Sequence, residues 1–206
     1  MKINLLQHPL ATQLLTLLRD KESSPQVFRD AVKRLSVWLA IEATRDLKLK
    51  TSKISTPVSE WEGGVIEESL ALIPILRAGL GMSDAIIDWL PFAKINHLGF
   101  YRDEKTLQPV PYYEKLNATP PQNCLVLDPM LATGGTAVAA VHAMKKWGVN
   151  NICFLGLLGA PEGAENLLKT HPDVTIFLAD LDEQLNDKGY IVPGLGDAGD
   201  RQYNTF

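Results

Sequence analysis

A run of small and hydroxyl-bearing residues near the middle of the chain has the composition of a phosphate-binding loop. Residues 127–136 read Leu-Asp-Pro-Met-Leu-Ala-Thr-Gly-Gly-Thr. The apolar residues 124–127 predict a strand that leads into the loop, and the apolar periodicity of residues 137–147 predicts a helix after it. Backbone N–H groups at the start of a helix have no partner within that helix, so a loop in this position can bind phosphate.

The side chains of this loop divide into phosphate donors and a sugar acceptor. Gly134 and Gly135 allow the turn and let an anion approach the backbone, and Thr133 and Thr136 add hydroxyl donors. Asp128 carries the wrong charge for phosphate but suits the hydroxyls of a ribose. Together these residues predict a site for a phosphorylated ribose. The alternative is an ordinary strand–turn–helix junction, with glycine for geometry and threonine as a cap.

The loop is neither a Walker A sequence nor a GxGxxG dinucleotide motif. It resembles the loop that binds 5-phosphoribosyl-1-pyrophosphate (PRPP) in type I phosphoribosyltransferases, in the form typical of the uracil branch of that family. Four further segments resemble the same branch in the same order: residues 8–10, 74–82, 101–102 and 189–200. The resemblance therefore covers essentially the whole chain. Pro129 departs from the broader family, in which many members have a second acid at this place.

The resemblance implies which residues bind PRPP and which bind uracil. PRPP would be bound by Arg77, Arg102, Asp128, Pro129, Met130, Leu131, Ala132, Thr133, Gly134, Gly135, Thr136 and Asp197. Uracil would be surrounded by Ile191, Gly196, Asp197 and Ala198. Arg77, Arg102 and Asp197 form the implied catalytic group, with both arginines at the pyrophosphate.

The residues themselves support these assignments but leave alternatives open. Arg77 follows the apolar run 73–76, and the planar fork of arginine suits a pyrophosphate, although a surface arginine in a strand–helix turn shows the same pattern. Arg102 opens the charged run 102–105, whose composition is equally typical of a solvated segment. The glycine-rich residues 189–199 offer main-chain donors and acceptors for the carbonyls and N3–H of uracil, or serve flexibility alone.

The implied reaction is attack of uracil N1 on the anomeric carbon of PRPP, which gives UMP and pyrophosphate and serves pyrimidine salvage. That carbon carries oxocarbenium character, so Arg77, Arg102 and Mg2+ would stabilise charge on the leaving group. We expect Mg2+ to bind mainly through PRPP oxygens and water, without a metal site made by the protein. The N1 proton has no assigned base; Asp197 and backbone polarisation of the uracil carbonyls are the two alternatives.

The order of apolar runs predicts an α/β fold with a doubly wound, mainly parallel sheet, in one domain over residues 1–206. Strands are expected at 70–76, 95–100, 125–127, 152–158 and 174–179. Helices are expected at 9–18, from 25 to about 46, and at 82–89, 137–146 and 163–168.

Three segments interrupt this alternation. Residues 49–65 are expected to be an irregular β excursion. Residues 102–116 are charged and contain two prolines, which predicts a β arm or lid outside the core. Residues 184–206 show no helix or strand pattern, yet their apolar residues between the glycines favour an ordered hood loop over a disordered tail.

The charge pattern argues against a nucleic-acid surface. The chain has a net charge of −4 and no block of Lys or Arg, which disfavours the alternative function of a regulator that binds RNA. Within the enzyme class, the alternative is a phosphoribosyltransferase for another base.

The remaining expectations concern location and partners. Cys124 and Cys153 lie in apolar runs and are predicted to be free core residues; with no export signal, this favours the cytoplasm. No apolar run reaches about 18 residues, so no membrane span is expected. From the resemblance we expect a homo-oligomer that binds PRPP and uracil, with GTP as a candidate effector at an unassigned site.

Overall fold

A computed structural model describes residues 2–102 and 109–205, which contain thirteen strands and six helices. The strands are β1 (Ile3–Leu5), β2 (Leu49–Ser55), β3 (Glu60–Ile66), β4 (Leu70–Leu76), β5 (Lys94–Ile95), β6 (Leu98–Arg102), β7 (Pro109–Glu114), β8 (Asn123–Leu127), β9 (Met130–Leu131), β10 (Asn151–Gly159), β11 (Thr175–Leu181), β12 (Gln184–Leu185) and β13 (Ile191–Val192). The helices are α1 (Pro9–Arg19), α2 (Pro25–Ala43), α3 (Leu80–Ile86), α4 (Gly135–Trp147), α5 (Pro161–Thr170) and α6 (Ala198–Tyr203).

Nine of the strands form one sheet whose main order is β1-β11-β10-β8-β4-β6-β7, with β5 beside β4 and β9 beside β10. Its pairings are parallel except for the antiparallel pair β6–β7. This arrangement confirms the predicted doubly wound, mainly parallel sheet. The carboxyl ends of β4 and β8 lie side by side, since Pro74 pairs with Leu127.

Side-chain alternation along the central strands explains why they are apolar throughout. In β4, Leu70 and Leu72 pack into a core shared with α1, α2 and α3. Ala71 and Ile73 pack into a second core on the opposite face, with α4 and α5. Both faces of the sheet are therefore buried, and each fully buried Leu or Ile side chain contributes about 1.5–3 kcal/mol to stability.

The helix that follows Ser24 is shorter than predicted. Ser24 caps α2 as expected, because its hydroxyl accepts the Val27 N–H at 3.3 Å. The helix ends at Ala43 rather than near residue 46, and the Thr44 hydroxyl turns back to the Ala40 carbonyl at 2.7 Å.

Residues 49–65 are more regular than predicted. Strands β2 and β3 pair antiparallel from Leu49↔Ile66 to Ser55↔Glu60 and form a two-stranded sheet apart from the large one. Its side chains are mainly exposed, including Trp61 at 56%. A hairpin without a buried face lacks clean alternation of apolar and polar residues, which is why the sequence pattern was weak here.

The described residues 184–205 are ordered, as predicted, but they contain regular secondary structure that the sequence pattern did not indicate. The segment contains the short antiparallel pair β12–β13 and the helix α6. The Asp197 carboxylate caps α6 by accepting the Asp200 N–H at 2.9 Å, and Asn204 ends it at a positive φ of 56°. An aspartate at the N-cap and an asparagine at the C-cap are signals that the sequence did contain.

The arm predicted at residues 102–116 is described only in part, because residues 103–108 lie outside the described ranges. Its described strand β7 extends the large sheet as an edge strand beside β6, with a register shift between Gly99 and Phe100. None of the helices in the described ranges is both long and apolar enough to cross a membrane.

Candidate active site

A cavity of about 400 Å3 opens between the carboxyl ends of β4 and β8 and the C-terminal segment. It is lined by Ala78, Asp128, Met130, Ala132, Thr136, Lys188, Gly189, Tyr190, Ile191, Gly196, Asp197, Ala198 and Gly199. Eight of these were predicted to bind PRPP or uracil: Asp128, Met130, Ala132, Thr136, Ile191, Gly196, Asp197 and Ala198. The fold therefore places residues from both predicted subsites around one space.

Sequence reasoning missed five lining residues: Ala78, Lys188, Gly189, Tyr190 and Gly199. Lys188 is the most informative of them, because it adds a cation to the cavity wall. The Asn186 carboxamide oxygen accepts the N–H groups of both Lys188 and Tyr190 at 3.0 Å, which fixes this turn. The available signal was a lysine directly before the glycine-rich motif.

The beginning of the phosphate loop is an extension of the sheet. The Asp128 N–H donates to the Leu155 carbonyl at 3.2 Å, and the Pro129 carbonyl accepts the Leu157 N–H at 2.9 Å. Within the loop, Asp128 Oδ1 accepts the Met130 N–H at 3.2 Å. The main chain of β10 therefore holds Asp128 at the cavity.

Several predicted loop residues do not line this cavity: Pro129, Leu131, Thr133, Gly134 and Gly135. Leu131 is 1% exposed, and its carbonyl accepts the Ala160 N–H at 2.9 Å. The Thr133 carbonyl accepts the Asn166 side-chain N–H at 2.9 Å. These contacts connect the loop to the start of α5 and to its outer face.

The two adjacent glycines have different roles. Gly134 has a φ of +77°, and a Cβ there would lie 2.6 Å from the Gly163 carbonyl oxygen. Gly135 begins α4 without a positive φ, and a Cβ there would meet Thr133 Oγ1 at 3.8 Å and Pro109 Cδ at 3.9 Å. The conformational requirement therefore lies at Gly134, which corrects the expectation that both glycines make the turn.

The carboxyl of Asp128 is tuned by its surroundings. Burial raises its pKa to about 7, and the Asp197 carboxylate adds to the rise while the hydrogen bond from Met130 opposes it. Asp128 therefore changes its charge near neutral pH in the free protein.

Arg77 lies beside the cavity, next to its lining residue Ala78. The Leu76–Arg77 peptide bond is cis, a point that the sequence could not decide. Arg77 Nη2 is 3.2 Å from Asp200 Oδ1, and its guanidinium lies 5.9 Å from the centre of the Tyr203 ring. The side chain is 57% exposed, so it remains accessible to a ligand.

The side chain of Arg102 lies outside the described part of the chain, and its predicted contact with pyrophosphate stays a prediction.

The C-terminal segment curls over the cavity through residues with unusual backbone geometry. Gly194 and Gly196 have φ values of 66° and 80°, and the Val192–Pro193 bond is cis. Ile191 is 5% exposed and Ala198 is 3% exposed. Asp197 is exposed at the mouth of the cavity while its Oδ1 caps α6.

Arg19, Asp180 and Asp182 form an ion-pair cluster that holds the C-terminal segment at Gly194. Asp182 Oδ2 accepts the Gly194 N–H at 2.8 Å, and Arg19 donates to both oxygens of Asp182. Arg19 also donates to Asp180 at 2.9 Å and to the Gly194 carbonyl at 3.1 Å. These carboxylates raise the pKa of Arg19, which keeps the guanidinium charged.

A second arginine, Arg201, anchors α6 without any carboxylate bond among the described residues. It is 8% exposed and donates to the carbonyls of Leu18, Asp20 and Leu195. Its guanidinium lies 4.4 Å from the centre of the Phe28 ring. Burial lowers its pKa, yet an arginine stays protonated.

The described residues contain no group of three or more His, Cys, Asp or Glu side chains placed to hold a metal ion. Two carboxylates do share the cavity, since Asp128 and Asp197 both line it and interact electrostatically. Oxygen ligands of this kind fit a hard cation that keeps several waters and binds mainly through a substrate's phosphates.

Known proteins match this chain over nearly its full length. A model of the uracil phosphoribosyltransferase family matches residues 5–205. A uracil phosphoribosyltransferase from Roseiflexus castenholzii is 57% identical over 203 residues, covering 97% of this chain and 96% of the relative. One from Anoxybacillus flavithermus is 52% identical over 206 residues, covering 99% of each.

Solved structures share the fold. A protein from Aquifex aeolicus superimposes with a TM-score of 0.93 at 36% identity, covering 98% of both chains. Orotate phosphoribosyltransferase from Mycobacterium tuberculosis, solved with PRPP, covers 85% of this chain and 91% of that one, with a TM-score of 0.51 at 15% identity, which shows the fold alone. The family model and the relatives together show that the chain belongs to the uracil phosphoribosyltransferase family, whose enzymes transfer a phosphoribosyl group from PRPP to uracil.

Proposed function

We propose that this chain transfers the 5-phosphoribosyl group of PRPP to N1 of uracil in the 400 Å3 cavity, giving UMP and pyrophosphate for pyrimidine salvage. One observation carries the proposal. The phosphate loop and the glycine-rich C-terminal segment, far apart in sequence, line the same space. A phosphorylated sugar on the loop would therefore point its anomeric carbon toward a base held by the C-terminal segment.

The loop would hold the phosphoribosyl group. The backbone N–H groups at the start of α4 and the hydroxyls of Thr133 and Thr136 would donate to the 5-phosphate. Asp128, in its ionised form, would accept hydrogen bonds from the ribose hydroxyls. Its pKa of about 7 makes this contact sensitive to pH near neutrality.

Arg77, Arg102 and Lys188 would stabilise the leaving pyrophosphate. Arg77 lies at the end of β4 with an exposed guanidinium, and Lys188 lines the cavity. Fixed cations act most strongly on charge that grows during the reaction, which here accumulates on the pyrophosphate oxygens as the C1–O bond breaks. Bound Mg2+ would supply further neutralisation of the pyrophosphate charge, held by PRPP oxygens and water beside Asp128 and Asp197.

The C-terminal segment would read the base. Main-chain N–H and C=O groups near Ile191, Gly196 and Ala198 would pair with the carbonyls and N3–H of uracil. Cytosine exchanges a carbonyl for an amino group and an N–H for an acceptor, so both contacts would be lost. Asp197, which lines the cavity, would lie beside PRPP and would assist loss of the N1 proton, alone or with polarisation of the uracil carbonyls.

A base panel tests the proposal. The protein is incubated with PRPP and Mg2+, and nucleotide formation is followed with uracil, cytosine, hypoxanthine and orotate. We expect UMP from uracil and little product from the other three bases, because a mismatched buried hydrogen bond costs several kcal/mol. Comparable turnover of cytosine and uracil would contradict the base assignment, and no turnover of any base would contradict the reaction.

Four wider expectations belong to the same proposal. Residues 1–206 act as one phosphoribosyltransferase domain, which the family match over residues 5–205 supports. The two cysteines are free, which supports a cytoplasmic location. A homo-oligomer and GTP as an effector are expected from the family alone, and sedimentation with and without GTP tests both.

A further inference from the structure

The helix α6 touches both halves of the cavity. Its first residue, Ala198, lines the base side together with the capping residue Asp197. Two later residues reach Arg77: the Asp200 carboxylate lies 3.2 Å from Arg77 Nη2, and the Tyr203 hydroxyl donates to the Arg77 carbonyl at 3.3 Å. One short helix therefore contacts the proposed uracil subsite and the arginine of the proposed pyrophosphate subsite.

A buried amide makes the strongest connection between the two. Gln202 is 1% exposed, and its Nε2 donates to the Ala78 carbonyl and to the Ala198 carbonyl, both at 3.1 Å. The first acceptor follows Arg77 in the chain, and the second lines the base side of the cavity. A single side chain thus joins the main chains of both subsites.

Close packing leaves this amide little freedom. A Cβ added at Gly81 would overlap Gln202 Oε1, and a Cβ at Gly199 would touch the Ala78 Cβ at 3.8 Å. The Gln202 carbonyl also accepts a bond from Arg29 Nη1 at 2.7 Å, which ties α6 to α2. A displacement of the loop after β4 would therefore be transmitted to α6 rather than absorbed between them.

We propose that Gln202 and Asp200 are positioning residues that couple the two subsites, so that pyrophosphate and uracil bind cooperatively. This rests on the proposed function, which assigns pyrophosphate to Arg77 and uracil to residues 191–198. A ligand that sets the position of α6 from one side also sets the position of the other subsite, and the gain in affinity is reciprocal. Asp200 occupies one nitrogen of Arg77 and so directs the guanidinium while leaving its other N–H groups for a ligand.

Calorimetric titration with pyrophosphate tests the coupling, because uracil and pyrophosphate without ribose cannot react. Mg-pyrophosphate is titrated into the full chain with and without saturating uracil, and the ratio of the two Kd values is the coupling factor. We expect uracil to lower the Kd of pyrophosphate by about fivefold or more in the unmodified protein. Uracil titrated with and without pyrophosphate must give the same factor.

Two variants and one control assign the coupling to residues. Gln202→Leu removes both amide bonds at similar volume and should bring the factor close to one. Asp200→Ala should lower it less, since Gln202 remains. Asp173→Ala removes an ion pair with Lys145 of 2.5 Å elsewhere on the surface and should keep the unmodified factor. Thermal unfolding is measured for each variant to show that it folds. If Gln202→Leu does not fold, the coupling factor of Asp200→Ala provides the test.

The outcomes separate the inference from the proposed function. Binding of both ligands with a factor of one in the unmodified protein, or an unchanged factor in folded Gln202→Leu and Asp200→Ala, overturns the coupling role alone. If the unmodified protein binds neither pyrophosphate nor uracil, the proposed function itself fails.

Discussion

The two halves of the cavity are built in different ways. The phosphate loop is held by its neighbours in the sheet: main-chain bonds join it to β10, and its internal bond from Met130 to Asp128 spans two positions. The C-terminal segment is held by side chains from distant parts of the chain. Arg201 reaches the Leu18 carbonyl 183 positions away, and Gln202 reaches that of Ala78 at 124 positions.

This difference predicts different responses to mutation. A site made from main-chain groups of a parallel sheet tolerates most side-chain changes, because the sheet itself sets the positions. A site held by a few buried polar side chains depends on each of them, since loss of one leaves its partners unpaired. Substitutions that break the contacts between the C-terminal segment and distant parts of the chain should therefore weaken uracil binding more than PRPP binding.

The largest effect is expected where the two halves meet. Arg77→Ala should lower kcat/KM by about 100-fold or more, on the order of 3 kcal/mol, if Arg77 stabilises charge on the leaving pyrophosphate. Arg77→Lys should recover little, because lysine lacks the planar fork. Steady-state rates over both substrates measure this, and full activity of Arg77→Lys would show that a point charge is sufficient.

Loss of Arg201, which anchors α6, should weaken uracil binding and also lower the stability of the fold. Arg201→Ala removes the hydrogen bonds to the Leu18, Asp20 and Leu195 carbonyls, of which that of Asp20 still accepts the Ser23 N–H. It also removes the contact with Phe28, so we expect a loss of about 3 kcal/mol in unfolding free energy. The KM for uracil should rise more than the KM for PRPP.

Urea unfolding measures the first effect, and Arg45→Ala is the matched control. Arg45 differs from Arg201 in that its side chain is 68% exposed and pairs with the Glu42 carboxylate. Arg45→Ala should leave stability nearly unchanged, because an exposed ion pair contributes little. Equal losses of unfolding free energy in the two variants would show that the buried contacts of Arg201 do not stabilise the fold more than an exposed arginine does.

Within the phosphate half, the two glycines provide an internal comparison. Gly134→Ala forces a side chain into a positive φ and against the Gly163 carbonyl, which should cost about 2 kcal/mol and weaken PRPP binding. Gly135→Ala meets only ordinary contacts and should leave stability nearly unchanged. Thermal unfolding and PRPP binding of both variants test this, and equal destabilisation would reject the assignment of the turn to Gly134.

The smallest effect is a pH dependence of PRPP binding. With a pKa of about 7 in the free protein, ionised Asp128 falls about tenfold between pH 8 and pH 6, and affinity for PRPP should fall with it. Because PRPP phosphates also titrate near pH 6, Asp128→Asn is measured over the same range. The difference between the two profiles of PRPP affinity against pH gives the contribution of the Asp128 carboxyl. Identical profiles would contradict its role in binding PRPP.

The Asp128 carboxyl also makes stability depend on pH, but here a lower pH increases stability, whereas it weakens PRPP binding. Its folded pKa lies above its ordinary value of 3.8, so the folded state holds the proton more tightly. The resulting stabilisation is full below about pH 4 and is lost as pH rises through 7. Asp128→Asn should remove this slope from urea unfolding measured between pH 5 and 8.

The sequence predicted the phosphate half well because its signals are local. A buried strand, an acid, small residues and a helix start lie within about twenty positions, and the periodicity of the strands gave the sheet that presents them. The C-terminal half was recognised by resemblance, yet its helix was missed. The roles of Arg201, Gln202 and Asp200 depend on which distant carbonyl or guanidinium each one meets, and spacing along the chain carries no such information.

The position of α6 also affects when the protein acquires its function during synthesis. Among the described elements α6 is translated last, while two of its anchoring partners, Leu18 and Asp20, are made 183 and 181 residues earlier than Arg201. At ribosomal rates of about 5–20 residues per second, that interval is roughly ten to forty seconds. The strand β10 and the helix α5, which hold the phosphate loop, are complete at Thr170, 28 positions before α6 begins at Ala198. At the same rates the phosphate loop can therefore fold only roughly one to six seconds before α6 is made, and the protein can become a functional transferase only after α6 has left the ribosome.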